Sequence, residues 1–361
     1  MKRREFLKAS AAGALGLGAT KLQALGQPEE EEPVPRFDRR PRYMIWTGLH
    51  DESLAQLRSR YRSLKQRELT GIFLSGYEPR EAEAIKEAGL ELHQWMWTTN
   101  RNDQWIRENH PDWYMVSRTG KSCFDEPPYV DYYRWVSPVI PGVRDYLADK
   151  VAEIAEREAV DGVHLDYVRY PDVILPRALW EQYGVDQTEE MAEYDFCYSE
   201  PTRRAFKEVY GRDPLEIEDP AHDQEWLHFR YDSVSQLVER LKGMAREYDK
   251  TITAAVFPTP RMARKICRQD WGGWNLDFFT PMIYHSFYNE NVEWVGERVL
   301  EDVQATPSPI VAGLYMPAFG SPEEFGQCLD LCQKRGSSGV SLFGEIGDVY
   351  WDALGKHLAT A

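Results

Sequence analysis

The segment VDGVHLDYVRYP, Val160 to Pro171, puts ionisable groups into what otherwise reads as a buried β-strand. Side chains alternate along a strand, so His164 and Asp166 share one face while Val163 and Leu165 share the other. If the aliphatic pair meets an outer helix layer, Asp166 projects inward from the end of the strand. A carboxyl there suits catalysis or direct substrate contact; the structural alternative is an acid paired with Arg169 to brace the strand end. His164, one layer deeper, suits a hydrogen bond to Asp166 and a substrate contact equally well. The HxD pair also opens a metal reading that His285 could complete. Metal-dependent barrels draw several histidines from different strand ends, and here His93 and His50 alone stand near such positions, so no metal and no cofactor is assigned. The sequence has no P-loop, no HExxH and no GxSxG, and GALGLG from Gly13 follows no strand.

A rim acid needs a scaffold, and the rest of the chain has the pattern of one. Short β-type runs alternate with helical segments: RYMIWTG from Arg42, GIFLSG from Gly71, ELHQWMWT from Glu91, GVHLDYV from Gly162, TITAAVF from Thr251, DFFTPMIY from Asp277, PIVAGLYM from Pro309 and SGVSLFG from Ser338. Segments such as YLADKVAEIAERE and SQLVERLKGMAREY repeat apolar residues at three and four, as amphipathic helices do. Eight such units over residues 42–361 predict a (β/α)8 TIM barrel. Two connections are long, Asn100 to about Pro141 after strand three and Pro171 to about Gln224 after strand four. The first carries Trp105, Trp113, Tyr114, Tyr129, Tyr132, Tyr133 and Trp135. Loops of this length in a compact domain usually serve as lids or binding walls.

The stretch from His110 to Pro171, with HPDW, TGK, SPVIPGVRDYLADKVAEI and VDGVHLDYVRYP, resembles the bacterial glycosyl-hydrolase-like family ten, a group of TIM-barrel glycosidases. The likeness continues more weakly through LDFFTPMIYH from Leu276 and GVSLFG from Gly339, and departs at Ser137-Pro138, where relatives more often carry Asn or Asp before the proline. It implies a (β/α)8 fold and carbohydrate hydrolysis, with Asp166 at the family's strand-four acidic position. Glycoside hydrolysis normally uses two carboxyl groups. Glu345, directly after SLFG, is the favoured partner for Asp166, against Glu78, Asp51 and Asp172; its plain reading is a solvated loop acid. Trp46, Trp95, Trp97, Tyr284, His285 and Tyr315 stand at strand ends, where rings can stack on sugars and polar tips can bond hydroxyls, and Arg169 and His164 join them as substrate contacts. Each aromatic could instead fill the barrel core. The expected activity is that of an exported glycoside hydrolase acting on an oligo- or polysaccharide. The alternatives are a carbohydrate-binding pseudoenzyme and, further off, a metal-dependent hydrolase.

Charge and the N-terminus complete the reading. The formal net charge is −16, and removing residues 1–26 leaves 38 basic and 58 acidic residues, a surface that repels phosphate backbones and argues against nucleic acid as a partner. Residues 1–26 carry Arg3 and Arg4 before Glu5, Phe6 and Leu7 and then an Ala- and Gly-rich apolar stretch. This resembles a twin-arginine export signal, which implies the twin-arginine machinery as a partner and a periplasmic or secreted product without stable membrane insertion. Residues 27–41, QPEEEEPVPRFDRRP, read as a tether. The five cysteines are odd in number and scattered, so no disulfide framework follows.

Overall fold

Alternation along each strand decides which side chains fill the barrel and which meet the helices. The computed structural model describes Asp38 and residues 40–359; residues 1–26, expected to be an export signal, and most of residues 27–41, expected to be a tether, lie outside those residues. Eight strands, β1 (Arg42–Gly48), β2 (Gly71–Ser75), β3 (Glu91–Trp97), β4 (Gly162–Asp166), β5 (Thr251–Val256), β6 (Phe278–Pro281), β7 (Ala312–Tyr315) and β8 (Gly339–Phe343), pair in parallel in the order β6-β5-β4-β3-β2-β1-β8-β7. Between and after them lie α1 (Leu54–Gln66), α2 (Pro79–Glu87), α3 (Gln104–Asn109), α4 (Pro141–Ala155), α5 (Trp180–Tyr183), α6 (Glu200–Tyr210), α7 (Gln224–Glu247), α8 (Pro260–Cys267), α9 (Val292–Ala305), α10 (Pro322–Lys334) and α11 (Asp348–Leu358). None of the described helices is long and apolar enough to cross a membrane.

The eight expected strands are all present, and the chain folds as a (β/α)8 barrel. β6 and β7 are shorter than their apolar runs. The imide nitrogen of Pro281 has no hydrogen to donate, so regular pairing stops there. The seam between β6 and β7 is instead closed by isolated bridges, Phe279 to Ile310 and Met282 to Gly313, with Val311 N donating to Phe279 O at 2.8 Å and Ile283 N to Gly313 O at 3.0 Å. Gly313 permits this approach, because a Cβ there would lie 2.7 Å from Pro281 O.

Ile72, Leu74, Val163, Leu165, Ile252 and Leu342 point outward and are buried under the helices, each contributing about 1.5–3 kcal/mol by leaving water. Met44, Trp46, Phe73, Ala255, Phe278 and Val311 form a separate cluster inside the barrel. The long connection after β4 has a small core of its own, in which Tyr198, Phe206 and Ile217 pack on Trp226 of α7.

Candidate active site

β4 ends on Asp166, and the register places Trp97 of β3 beside it. The carboxyl is buried: Oδ2 accepts from Trp95 Nε1 at 3.0 Å and Oδ1 from the Tyr167 amide at 2.6 Å. Tyr167 has a φ of +49°, a left-handed conformation that costs a bulky residue roughly 1–3 kcal/mol and lies where the chain leaves the barrel. Burial raises the pKa of Asp166 above the ordinary carboxyl value, while the two donors and the nearby Arg169 charge act in the opposite direction.

Arg169 does not brace Asp166. Its Nη1 bonds Asp172 Oδ2 at 3.1 Å and the Tyr170 carbonyl at 2.8 Å, and its guanidinium lies over Trp135 and Phe257, both at 4.8 Å. Burial works against the Arg169 charge, but Asp172 holds its pKa up; burial likewise raises Asp172, and Arg169 pulls it back. The two form a buried ion pair beside the carboxyl of β4.

A cavity of about 260 Å³ lies at this end of the barrel. Its strand-borne lining includes Trp46, Trp95, Asp166, Ala255 and Phe343; Trp97 of β3 joins them, and Met282 and Tyr284 follow β6. The long connections add Tyr129 and Tyr133 after β3, and Arg169, Asp172, Leu175 and Tyr183 after β4. Asp166, Arg169 and Asp172 are the charged groups among these otherwise mainly aromatic and apolar walls. The walls are stitched together: the Tyr129 hydroxyl donates to Asp172 O at 2.9 Å and accepts from Gln187 Nε2 at 2.8 Å, while Gln187 Oε1 accepts from Leu175 N at 2.8 Å.

Trp46, Trp95, Trp97, Asp166, Arg169 and Tyr284 thus come together, and the other expected site residues lie elsewhere. His164 is buried inside the barrel, stacked on Phe73 at 3.8 Å. Its Nε2 accepts from Trp46 Nε1 at 3.0 Å, which assigns the proton to Nδ1, facing Thr253 Oγ1 at 2.8 Å. Burial, reinforced by His93, lowers its pKa well below the usual value, so it is a neutral spacer under Trp46 and makes no hydrogen bond to Asp166. His285 begins a tight turn after β6 and packs against Phe319 at 5.2 Å; Tyr315 packs on Tyr284 at 5.5 Å without lining the cavity.

Glu345 is exposed between β8 and α11, and Asp51 is exposed after β1. Glu78 caps α2 by accepting from Glu81 N at 3.0 Å. Asp172 is the one of the four proposed partners that shares the cavity lining with Asp166. Among the described residues no three His, Cys, Asp or Glu side chains converge as a metal-binding group. Sequence reasoning did not single out Tyr129, Tyr133 or Phe343 as site residues, although the density of aromatics after β3 was a usable signal for the first two.

Comparison with known proteins agrees with this architecture. The catalytic domain of a β-amylase from Paenibacillus polymyxa superposes with a TM-score of 0.62 at 13% identity, covering 89% of this chain and 99% of that one. A β-galactosidase from the psychrophilic Marinomonas ef1 gives 0.63 at 10% identity over 88% of this chain and 59% of that one. At such identities the likeness concerns the fold. In sequence, the glycosyl hydrolase YngK of Bacillus subtilis (strain 168) is 30% identical over 121 residues, which is 31% of this chain and 22% of that protein. The match therefore spans about a fifth of that curated relative's length. The model of the family described as glycosyl hydrolase-like 10 matches residues 81–325, from α2 into α10, and the chain belongs to that family.

Proposed function

We propose that this protein hydrolyses glycosidic bonds in an oligo- or polysaccharide, with Asp166 as the acid that protonates the departing oxygen. The observation that carries the reading is a buried carboxyl of raised pKa in an aromatic-lined cavity at the C-terminal end of a barrel strand, where such an acid retains its proton to higher pH than a solvated one. In the proposed step the bond between the anomeric carbon and the glycosidic oxygen breaks, the Asp166 proton goes to that oxygen, and a water oxygen bonds the anomeric carbon. The water's proton passes to a second carboxylate. Trp46, Trp95, Trp97, Arg169 and Tyr284 are the proposed sugar contacts.

For the second carboxylate, Asp172 is supported by its place in the lining and by the Arg169 charge beside it; Glu345 is supported by its position just past β8. Turnover of a glycan panel tests the reading, and two variants separate the carboxyls. Asp172→Asn is expected to lower kcat by about a hundredfold or more with Glu345→Gln near the unmodified rate. The reverse pattern, at unchanged melting temperature, would transfer the role to Glu345. Binding of glycans without turnover of any would replace hydrolysis with a carbohydrate-binding function.

The protein is further proposed to be exported folded, by the twin-arginine route, to the periplasm or the medium. Arg3 and Arg4 ahead of the apolar stretch support this, as do five cysteines that are all buried and unbridged. The double variant Arg3→Lys, Arg4→Lys should accumulate inside the cell as uncleaved precursor; its normal export from a strain lacking the twin-arginine translocase would overturn the route.

A further inference from the structure

The rim of the cavity is uneven. Every residue beyond a strand end that lines it follows β3, β4, β5 or β6. The connections after β1, β2, β7 and β8, residues 49–53, 76–78, 316–321 and 344–347, contribute none. Gly48, Ser75, Gly76 and Gly344 at the ends of three of those strands are exposed. The sheet order makes these four strands neighbours, so the low side is continuous. Trp97 ends β3, a high-side strand that borders the low side. The residue is 37% exposed, and its ring leans on Tyr167 at 4.9 Å and Tyr132 at 6.0 Å.

We propose that the cavity is a blind pocket for the single sugar ring at the non-reducing end of a glycan, and that the remaining chain leaves over the low side with its first ring stacked on Trp97. The proposal rests on the glycoside-hydrolase reading above. A volume of about 260 Å³ falls below the roughly 300–1,000 Å³ of pockets that take drug-sized ligands, which leaves room for one pyranose and not for a run of them. The leaving chain carries the oxygen that Asp166 protonates, so it must extend from the anomeric carbon out of the pocket. The enclosed ring is therefore the terminal one. Each turnover consumes one water and yields a monosaccharide and a glycan shorter by one ring.

The test uses a length series of linear neutral oligosaccharides tagged at the reducing end, together with cyclic oligosaccharides of the same sugars, which have no ends. Monosaccharide should appear from the untagged end at the earliest times, with the tagged chain shortening ring by ring and the cyclic forms untouched. Trp97→Ala should raise KM for the longer members roughly three- to tenfold, with a smaller effect on kcat. Mid-chain fragments at the earliest times, or cleavage of a cyclic glycan, would overturn the pocket and leave the glycosidase reading standing. If no glycan is cleaved, the hydrolase reading fails and calorimetry decides the pocket. Preference for linear over cyclic glycans supports it; equal affinity, or binding of neither, overturns it.

Discussion

Asp166→Asn should lower kcat on any glycan the protein cleaves by about a hundredfold or more, while the barrel stays folded. Asn keeps the size of the side chain but has no proton to give the leaving oxygen. The carboxyl accepts from both Trp95 and the Tyr167 amide. An amide must turn its NH2 toward one of those donors, a mismatch that costs about 1–3 kcal/mol. Relief of a buried ionisable group offsets part of that cost, so thermal unfolding should shift by only a few degrees. The pH dependence has a definite sign. An acid must be protonated to act, so activity should fall as pH rises through the raised pKa of Asp166. Trp95→Phe removes one of the donors that lower that pKa and should move this alkaline limb upward. Because the folded-state pKa lies above the unfolded one, the unmodified protein loses stability as pH rises through the same window, and the Asn variant lacks that loss. Rate-pH profiles and melting curves of the three proteins check each part, and an Asp166→Asn protein with an unchanged kcat would remove Asp166 from the chemistry.

Arg230→Met should destabilise the fold by about 3 kcal/mol or more. Arg230 is fully buried in α7, over the face of Trp226 at 4.7 Å, and bonds Asp195 and, at 3.0 Å, the Phe196 carbonyl. Without it, buried Asp195 keeps Arg268 at 3.7 Å as its remaining cationic partner, and Arg268 is already engaged by Glu190. Burial pushes the Asp195 pKa up, but the two guanidinium groups and the Tyr198 hydroxyl outweigh it and the net direction is down. A depressed folded-state pKa gives stability that is present above the unfolded value and lost as pH falls through the folded one. The gap between the two proteins should therefore narrow in acid. Denaturant titration at neutral and acidic pH measures this, and Asp195→Asn in the Met background should recover part of the loss. Glu190 and Asp195 anchor the connection that carries Leu175 and Tyr183 to the cavity, so kcat/KM should fall as well.

The strand and helix alternation was legible because a barrel strand, buried on both faces, shows an apolar run flanked by helical periods. Period-two spacing also put Asp166 on the inner face of β4, and placement near strand ends singled out Trp46 and Trp95; all three line the cavity. Apolar run length misled about where strands end. β6 stops at Pro281, short of its apolar run, so His285 lies in the turn beyond the strand and faces Phe319. Glu345 follows its strand closely, yet lies past Gly344, whose φ of +100° marks a turn that spacing alone does not reveal. The reach of Tyr129 into the wall depends on bonds to Asp172 and Gln187, residues far away in sequence, and no local pattern encodes such closure.

The short connections after β1, β2, β7 and β8 separate what the fold must keep from what it can change. The strands beneath them carry pairing and packing, while the connections lie outside the cavity. Lengthening a surface loop adds only a slowly growing entropic term, about 0.6 kcal/mol per doubling. Insertions on that side would be tolerated thermodynamically and could raise a second wall opposite the first. Change in this chain then has a cheap route from one cavity shape to another that leaves the carboxyl on β4 and its supporting tryptophan in place.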